Sequence, residues 1–395
     1  MLFRVGIQTA ALLLLTNILS VENFALLIAA AGLGIIFGSL STMGTHIALL
    51  AKIAKNSESL TDISAIALPI TLITGAALSA AWLGLFSFVH LSADVHLTSL
   101  FLIALSEIVI QPLIVLASNE LIAKGKTAFS QTITIVPLVI RILGMAIMLC
   151  IDAKDLNIIC YIWIISTAII LPYLIFTKIV IWHPPTDWRI PKKSELKELA
   201  GFACINFTQM TALELDKPLS VKLLPAEMAG IYTLCSRIIY AAIQPISALI
   251  FSALPKLYQN NSLEKSKQIS QLILLFSFGY GAVICFLLRE IGPYITYVIP
   301  ATYADISLYL YTICLALPFM AVRISSINII MASSSPWVRV RCESFAIITC
   351  LIFCTIGALV NGLAGYIYGY IAYEIVTAIF NTGFILKNSG RIFKV

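Results

Sequence analysis

Long apolar stretches, each closed by a short polar cluster, follow one another along the whole chain. They lie near 3–20, 24–50, 63–89, 97–119, 127–151, 157–181, 196–216, 227–253, 269–289, 304–331, 343–361 and 364–386. A helix needs about 20 apolar residues to cross a bilayer. None of these runs alternates apolar and polar positions as a transmembrane strand does, and a helix meets its own backbone hydrogen bonds in lipid. The pattern predicts an all-α polytopic membrane protein of about 12 transmembrane helices. The first run follows Arg4 and passes through Ser20-Val21-Glu22-Asn23 into the next without a small-residue cleavage pattern. It reads as the first span rather than a cleavable signal.

The polar clusters fix an orientation, because short cytoplasmic loops hold the excess of Lys and Arg. With the N-terminus inside, 18 of the 25 Lys and Arg fall in inner segments and 4, Lys154, Lys217, Lys222 and Arg289, in outer ones. Arg141, Arg237 and Arg323 remain within spans. Both termini are expected on the cytoplasmic side.

The longest polar stretch, Trp182-His183-Pro184-Pro185-Thr186-Asp187-Trp188-Arg189-Ile190-Pro191-Lys192-Lys193, follows the sixth span. Its prolines favour an extended connector and its tryptophans suit the interface. The expected organisation is an N-terminal six-helix bundle over 1–181, an inter-lobe connector over 182–195 and a C-terminal six-helix bundle over 196–395. A weak internal repeat agrees with this: Glu22-Asn23-Phe24-Ala25-Leu26 opens the second span much as Glu227-Met228-Ala229-Gly230-Ile231 opens the eighth. Six helices per copy give both copies one orientation, so the pseudo-twofold axis runs along the membrane normal.

Composition narrows the function. The 395 residues are 60% hydrophobic and 11% charged, where soluble chains average about 45–50% apolar and about 25% charged. Too little chain lies outside the spans for an aqueous catalytic or nucleotide-binding domain. The net charge of +6 is accounted for by the inner loops and does not imply a nucleic-acid partner. The nine cysteines lie mostly in apolar runs without CxxC spacing and read as small apolar fillers. The chain has no P-loop, GxSxG, HExxH or DxD-type pair, so no enzyme activity, catalytic residue, bound cofactor or metal is expected. His90 and His96 read as solvated in a short outer loop, His183 falls in the connector, and His46, on the second span, reads as structural or as a titrating group lining a cavity.

Charge inside the membrane carries the chemical signal, since an ion at mid-bilayer costs several kcal/mol unless it faces water or a partner. Arg141, Arg237 and Arg323 lie roughly 21, 15 and 12 Å from the nearer-counted helix ends at about 1.5 Å per residue. Each has a proline close by, at Pro137, Pro245 and Pro318, and proline bends a helix. They are candidates to line a cavity and hold an anion, because Arg grips phosphate through paired hydrogen bonds. The alternative is that they pair with Glu107 on the fourth span and Glu374 on the twelfth, locking helices. Those two acids and His46 are equally candidates for ion coupling. Glu214 and Asp216 read as a solvated boundary at the end of the seventh span. Tyr294, Tyr297, Tyr303 and Tyr366 read as interface anchors, and Gly32, Gly34, Gly38, Gly362, Gly365 and Gly369 as sites of close helix approach.

Leu213-Glu214-Leu215-Asp216-Lys217, then Pro225-Ala226-Glu227-Met228-Ala229-Gly230-Ile231-Tyr232, Arg237, Pro245 and Leu254-Pro255 resemble the Wzx-type polysaccharide flippases. These belong to the multidrug/oligosaccharidyl-lipid/polysaccharide exporter superfamily. The turn before Glu22-Asn23-Phe24-Ala25 fits the same pattern in the first half. The resemblance covers essentially the whole chain, with degenerate motifs.

The resemblance implies two bundles around a cationic cavity open alternately to each side of a bacterial inner membrane. It implies as partner an undecaprenyl-diphosphate-linked oligosaccharide, such as an O-antigen repeat unit, handed on to polysaccharide polymerase machinery. Direction would come from a proton or sodium gradient or from polymerisation of the flipped lipid. A cation-coupled multidrug or small-molecule exporter would share the fold, and a membrane-embedded polymerase or ligase would share the span count. The basic balance of embedded charge argues against cationic drugs, and the short outer loops argue against the enzyme.

Overall fold

A computed structural model describes residues 2–53, 59–89, 97–177, 180, 182–259, 263–333 and 336–392. His90 and His96 lie outside these. Among the described residues every regular element is helical. In chain order they are α1 (Leu2–Ile18), α2 (Val21–Ser41), α3 (Thr45–Ile53), α4 (Ser59–Val89), α5 (Leu97–Leu105), a π-helical turn (Ser106–Ile110), α6 (Gln111–Ala123), α7 (Thr127–Cys150), α8 (Leu156–Ala168) and α9 (Ile170–Thr177). After the connector come α10 (Lys193–Glu214), α11 (Asp216–Leu223), α12 (Ala226–Gln259), α13 (Leu263–Ile295), α14 (Ile306–Ile313), α15 (Leu317–Ser333) and α16 (Pro336–Ile392).

Grouped by continuity, the helices make the 12 expected segments. α2 continues into α3, α5 into α6, α8 into α9, α10 into α11 and α14 into α15. α16 divides into two arms at Asn361 and Gly362, whose φ angles are −146° and 52°. Glycine serves at the second position because a side chain is strained at positive φ.

The helices gather into two compact units. One comprises Ala10–Leu19 and Leu26–Pro218, the other Met1–Thr9, Ser20–Ala25 and Leu219–Val395.

In the first of these units small residues and proline decide the packing. Pro112 has no N–H to offer the carbonyl of Ile108 four residues earlier, and the chain there takes the wider π-helical turn. Ser41 Oγ supplies the missing donor at 2.5 Å. Glycines on α2 and α4 admit the turn: a Cβ on Gly38 would stand 2.2 Å from the Glu107 carbonyl, one on Gly34 3.0 Å from Glu107 Cβ, and one on Gly75 3.3 Å from the Ile108 carbonyl. Between α2 and α3 the chain turns through Met43 and Gly44, at φ 46° and 76°. A Cβ on Gly44 would meet Phe202 Cβ at 2.6 Å, so α10 packs on this turn, and Asn206 Nδ2 donates to the Ser39 carbonyl at 3.0 Å.

The connector follows the same logic. Pro69 inside α4 leaves the Ala65 carbonyl without its helical donor, and the Arg189 backbone N–H donates to it at 3.2 Å. Arg189 Nη2 also donates to Glu195 Oε1 at 2.9 Å. Pro184 and Trp188 are extended around a short 3₁₀ turn.

In the other unit the arms of α16 approach backbone to backbone. A Cβ on Gly357 would meet the Gly365 carbonyl at 2.1 Å, and one on Gly369 the Phe353 carbonyl at 2.2 Å. Ser277 and Ser325 share a hydrogen bond of 2.6 Å between α13 and α15. Tyr303 and Tyr366 are buried. Tyr303 faces Phe24 edge-on and Tyr366 faces Tyr232, so they are core residues rather than interface anchors, whereas Tyr294 and Tyr297 are exposed. All nine cysteines are free thiols.

Candidate functional site

Each unit holds charged side chains within its helices. In the unit containing α2–α10, the π-helical turn presents Glu107 toward α7 and α8. Trp163 Nε1 donates to Glu107 Oε1 at 2.8 Å, while the Arg141 guanidinium carbon lies 3.6 Å from the centre of the Trp163 ring. Arg141 Nε reaches Ser166 Oγ at 3.4 Å, and Ser166 is itself anchored on the Trp163 carbonyl at 2.8 Å. Glu107 is the acid that acts electrostatically on Arg141, but the indole takes its oxygen. The terminal guanidinium nitrogens of Arg141 make no hydrogen bond to another described residue. A guanidinium held flat by an aromatic face and tethered through Nε keeps its fork free for a carboxylate or phosphate.

Arg323 differs. Its Nε donates to Glu374 Oε2 at 2.7 Å and its Nη2 to Glu374 Oε1 at 3.0 Å, closing the fork. Arg323 is 3% exposed and Glu374 0%, and Tyr373 covers the guanidinium at 5.5 Å. Its chemistry in this arrangement is that of a bridge between α15 and α16. Arg339 and Glu343, at the start of α16, are also buried and act electrostatically on one another, with Arg323 and Glu374 completing the group.

Arg237 stands half-buried on α12. His46 is buried on α3, with Nδ1 2.7 Å from Thr42 Oγ1 and its carbonyl accepting from Asn119 Nδ2 at 3.1 Å. The structure thus brings Arg141 together with Glu107 and Arg323 with Glu374.

The sequence reading passed over Trp163, Glu343 and Tyr373. An indole one span from a buried Arg and two from a half-buried acid carries no spacing signal. Glu343 falls where the apolar run begins and reads as its boundary. Glu214 and Asp216 are not a solvated boundary: they are 6% and 5% exposed, with Lys217 at 2%. Lys217 Nζ lies 3.0 Å from Asp216 Oδ1 and 3.5 Å from Glu214 Oε2, and Gly32 leaves room for Glu214, whose Oε2 would be 3.5 Å from a Cβ there. Burial of these acids is supported by a cation within one helical turn.

No family model matches the sequence, and no curated protein matches it. Solved structures do. An inward-facing multidrug resistance MATE family transporter of the MOP superfamily superposes with a TM-score of 0.74 at 15% identity, over 100% of this chain and 96% of that one. An outward-facing one gives 0.66 at 16%, over 100% and 95%. A MOP superfamily transporter from Pyrococcus furiosus, described by the reverse polarity of its binding pocket, gives 0.66 at 14%, over 100% and 94%. At such identities the likeness is one of fold: the chain is a multi-pass, all-helical protein with the fold of the MATE transporters.

Proposed function

We propose that the protein is a secondary transporter that carries an anionic amphiphile across a bacterial inner membrane by alternating access, without covalent chemistry and with both termini in the cytoplasm. The observation that carries this reading is the open fork of Arg141, stacked on Trp163 and unclaimed by Glu107. A cation-coupled small-molecule exporter is the version that the MATE neighbours support best, with a proton or sodium gradient as energy source and an organic anion as cargo.

The second version is the flippase of an undecaprenyl-diphosphate-linked oligosaccharide, feeding a polysaccharide polymerase. The observations favouring it are the resemblance around Glu214–Lys217 and the same guanidinium, which suits a diphosphate. Arg237 would assist in either version, while Arg323 is engaged with Glu374 and is assigned to the frame.

Purified protein in proteoliposomes tests both. A labelled polyprenyl-diphosphate oligosaccharide and a panel of labelled amphiphilic organic anions are offered to the parent and to Arg141→Ala. Movement of an organic anion under an imposed gradient, lost in the variant, supports the exporter; movement of the lipid-linked sugar supports the flippase. Full transport by Arg141→Ala contradicts the site.

A further inference from the structure

Among the described residues, the half-buried Glu107 and the buried acids Glu120, Glu214, Asp216 and Glu374 each have a nearby donor. Glu107 has Trp163, Glu120 has Lys124 at 2.5 Å, Glu214 and Asp216 share Lys217, and Glu374 has Arg323. Glu343 differs from these. It is 3% exposed, and its Oε2 is a buried oxygen with no hydrogen-bond partner. The charged groups that act on it are Arg339, four residues earlier on its own helix, Arg323 from α15 and Glu374 from the second arm of α16. Arg323 has closed both prongs on Glu374, and Arg339 directs Nη1 at Met331 Sδ, 2.6 Å away.

The carboxyl of Glu343 is therefore held between opposed influences. Burial of an ionised oxygen without a donor favours uptake of a proton; two guanidinium groups nearby favour its release. A group balanced in this way is suited to exchange a proton with small movements of its neighbours. With all four groups charged the cluster is neutral. Adding one proton leaves a net positive charge, with Glu374 the remaining anion beside the two guanidinium groups.

We infer that Glu343 is a proton-binding site of this bundle, and that Arg323 shares itself between Glu374 and Glu343 according to whether Glu343 carries the proton. Uptake forms an O–H bond on the Glu343 carboxylate at the expense of a hydronium ion, which becomes water. Release returns the proton to water and leaves Glu343 able to accept from Arg323, loosening the fork on Glu374. That exchange joins the start of α16 to its second arm through α15. It goes beyond the transport reading, because it concerns the proton and not the cargo.

Infrared difference spectra of the full chain in lipid nanodiscs, taken across about pH 5 to 9, read the proton directly as a protonated-carboxyl band. The parent is expected to show a band that titrates, to lose it in Glu343→Gln, to shift it in frequency in Glu343→Asp and to keep it in the control Glu120→Gln. Should Glu343→Gln not fold, the frequency shift in Glu343→Asp makes the assignment. A band that persists unchanged in both Glu343 variants, or a parent without a titrating band, overturns the proposal. Neither outcome depends on whether the proteoliposomes move a lipid-linked sugar, an organic anion or nothing.

Discussion

Arg141 lies 3.6 Å over the ring of Trp163 while the nitrogen of that ring donates to Glu107. One indole thus stands between a buried cation and a half-buried acid, offering its negative face to the first and its positive edge to the second. The arrangement keeps Glu107 from closing the Arg141 fork and separates the two functions of the ring. Trp163→Phe should retain the face but not the donor, allowing Glu107 to swing to Arg141; anion binding should weaken several-fold. Trp163→Leu, lacking both, should weaken it further. Isothermal titration of the purified protein with a bound anion orders the two.

Arg323 and Glu374 should behave as a structural pair. Removing one partner from a buried, two-pronged pair costs about 3–5 kcal/mol, whereas replacing both with apolar residues of similar volume is often close to neutral. Arg323→Met and Glu374→Leu are expected to lower thermal stability sharply when made singly, and the double variant to recover most of it. Equal losses from singles and double would assign the residues separate roles.

The π-helical turn yields a test of backbone chemistry. Ser41→Ala removes the donor to the Ile108 carbonyl and should cost about 1–3 kcal/mol, the penalty of an unsatisfied buried acceptor. Adding Pro112→Ala restores an N–H at the position that a regular helix uses, and the double variant should be more stable than Ser41→Ala alone. If the second substitution lowers stability further, the serine is not substituting for the proline's missing donor.

Glycine packing gives a matched comparison. Gly38→Ala would place a methyl 2.2 Å from the Glu107 carbonyl, whereas Gly84→Ala meets nothing within 4 Å. The first should destabilise by about 1–3 kcal/mol, typical of overpacking. The second should be neutral or slightly stabilising, since Ala is the better helix former. Thermal unfolding in one detergent compares them.

Much of the frame was legible in the sequence because bilayer thickness imposes the length of each apolar run. The break at Asn361 and Gly362 falls where the sequence separates the last two spans, and the all-helical class follows from the absence of alternation. The charged side chains Arg141, Glu107, Arg323 and Glu374 also stand out in the sequence, because ions are rare in such runs. Partner choice was not legible. It depends on which helix faces meet, and the indole that divides Arg141 from Glu107 lies 22 residues beyond one and 56 beyond the other. Tyr303 and Tyr366 mislead for a related reason: a tyrosine near a span end suits either the interface or a core, and Phe24 and Tyr232 decide it. The buried Glu214, Asp216 and Lys217 cluster looks like a solvated boundary until Gly32 is seen to leave space for it.

The most direct test of the central claim, that Arg141 is the anion-holding group of a transporter, is transport in proteoliposomes by Arg141→Lys and Arg141→Ala beside the parent at equal reconstituted amounts. Lys keeps the charge but loses the planar fork and the stacking on Trp163. The account predicts that Arg141→Lys raises the substrate concentration needed for half-maximal transport by about tenfold, equivalent to about 1.4 kcal/mol, and that Arg141→Ala abolishes saturable transport while both variants remain folded. Parent-like transport by Arg141→Ala would contradict it.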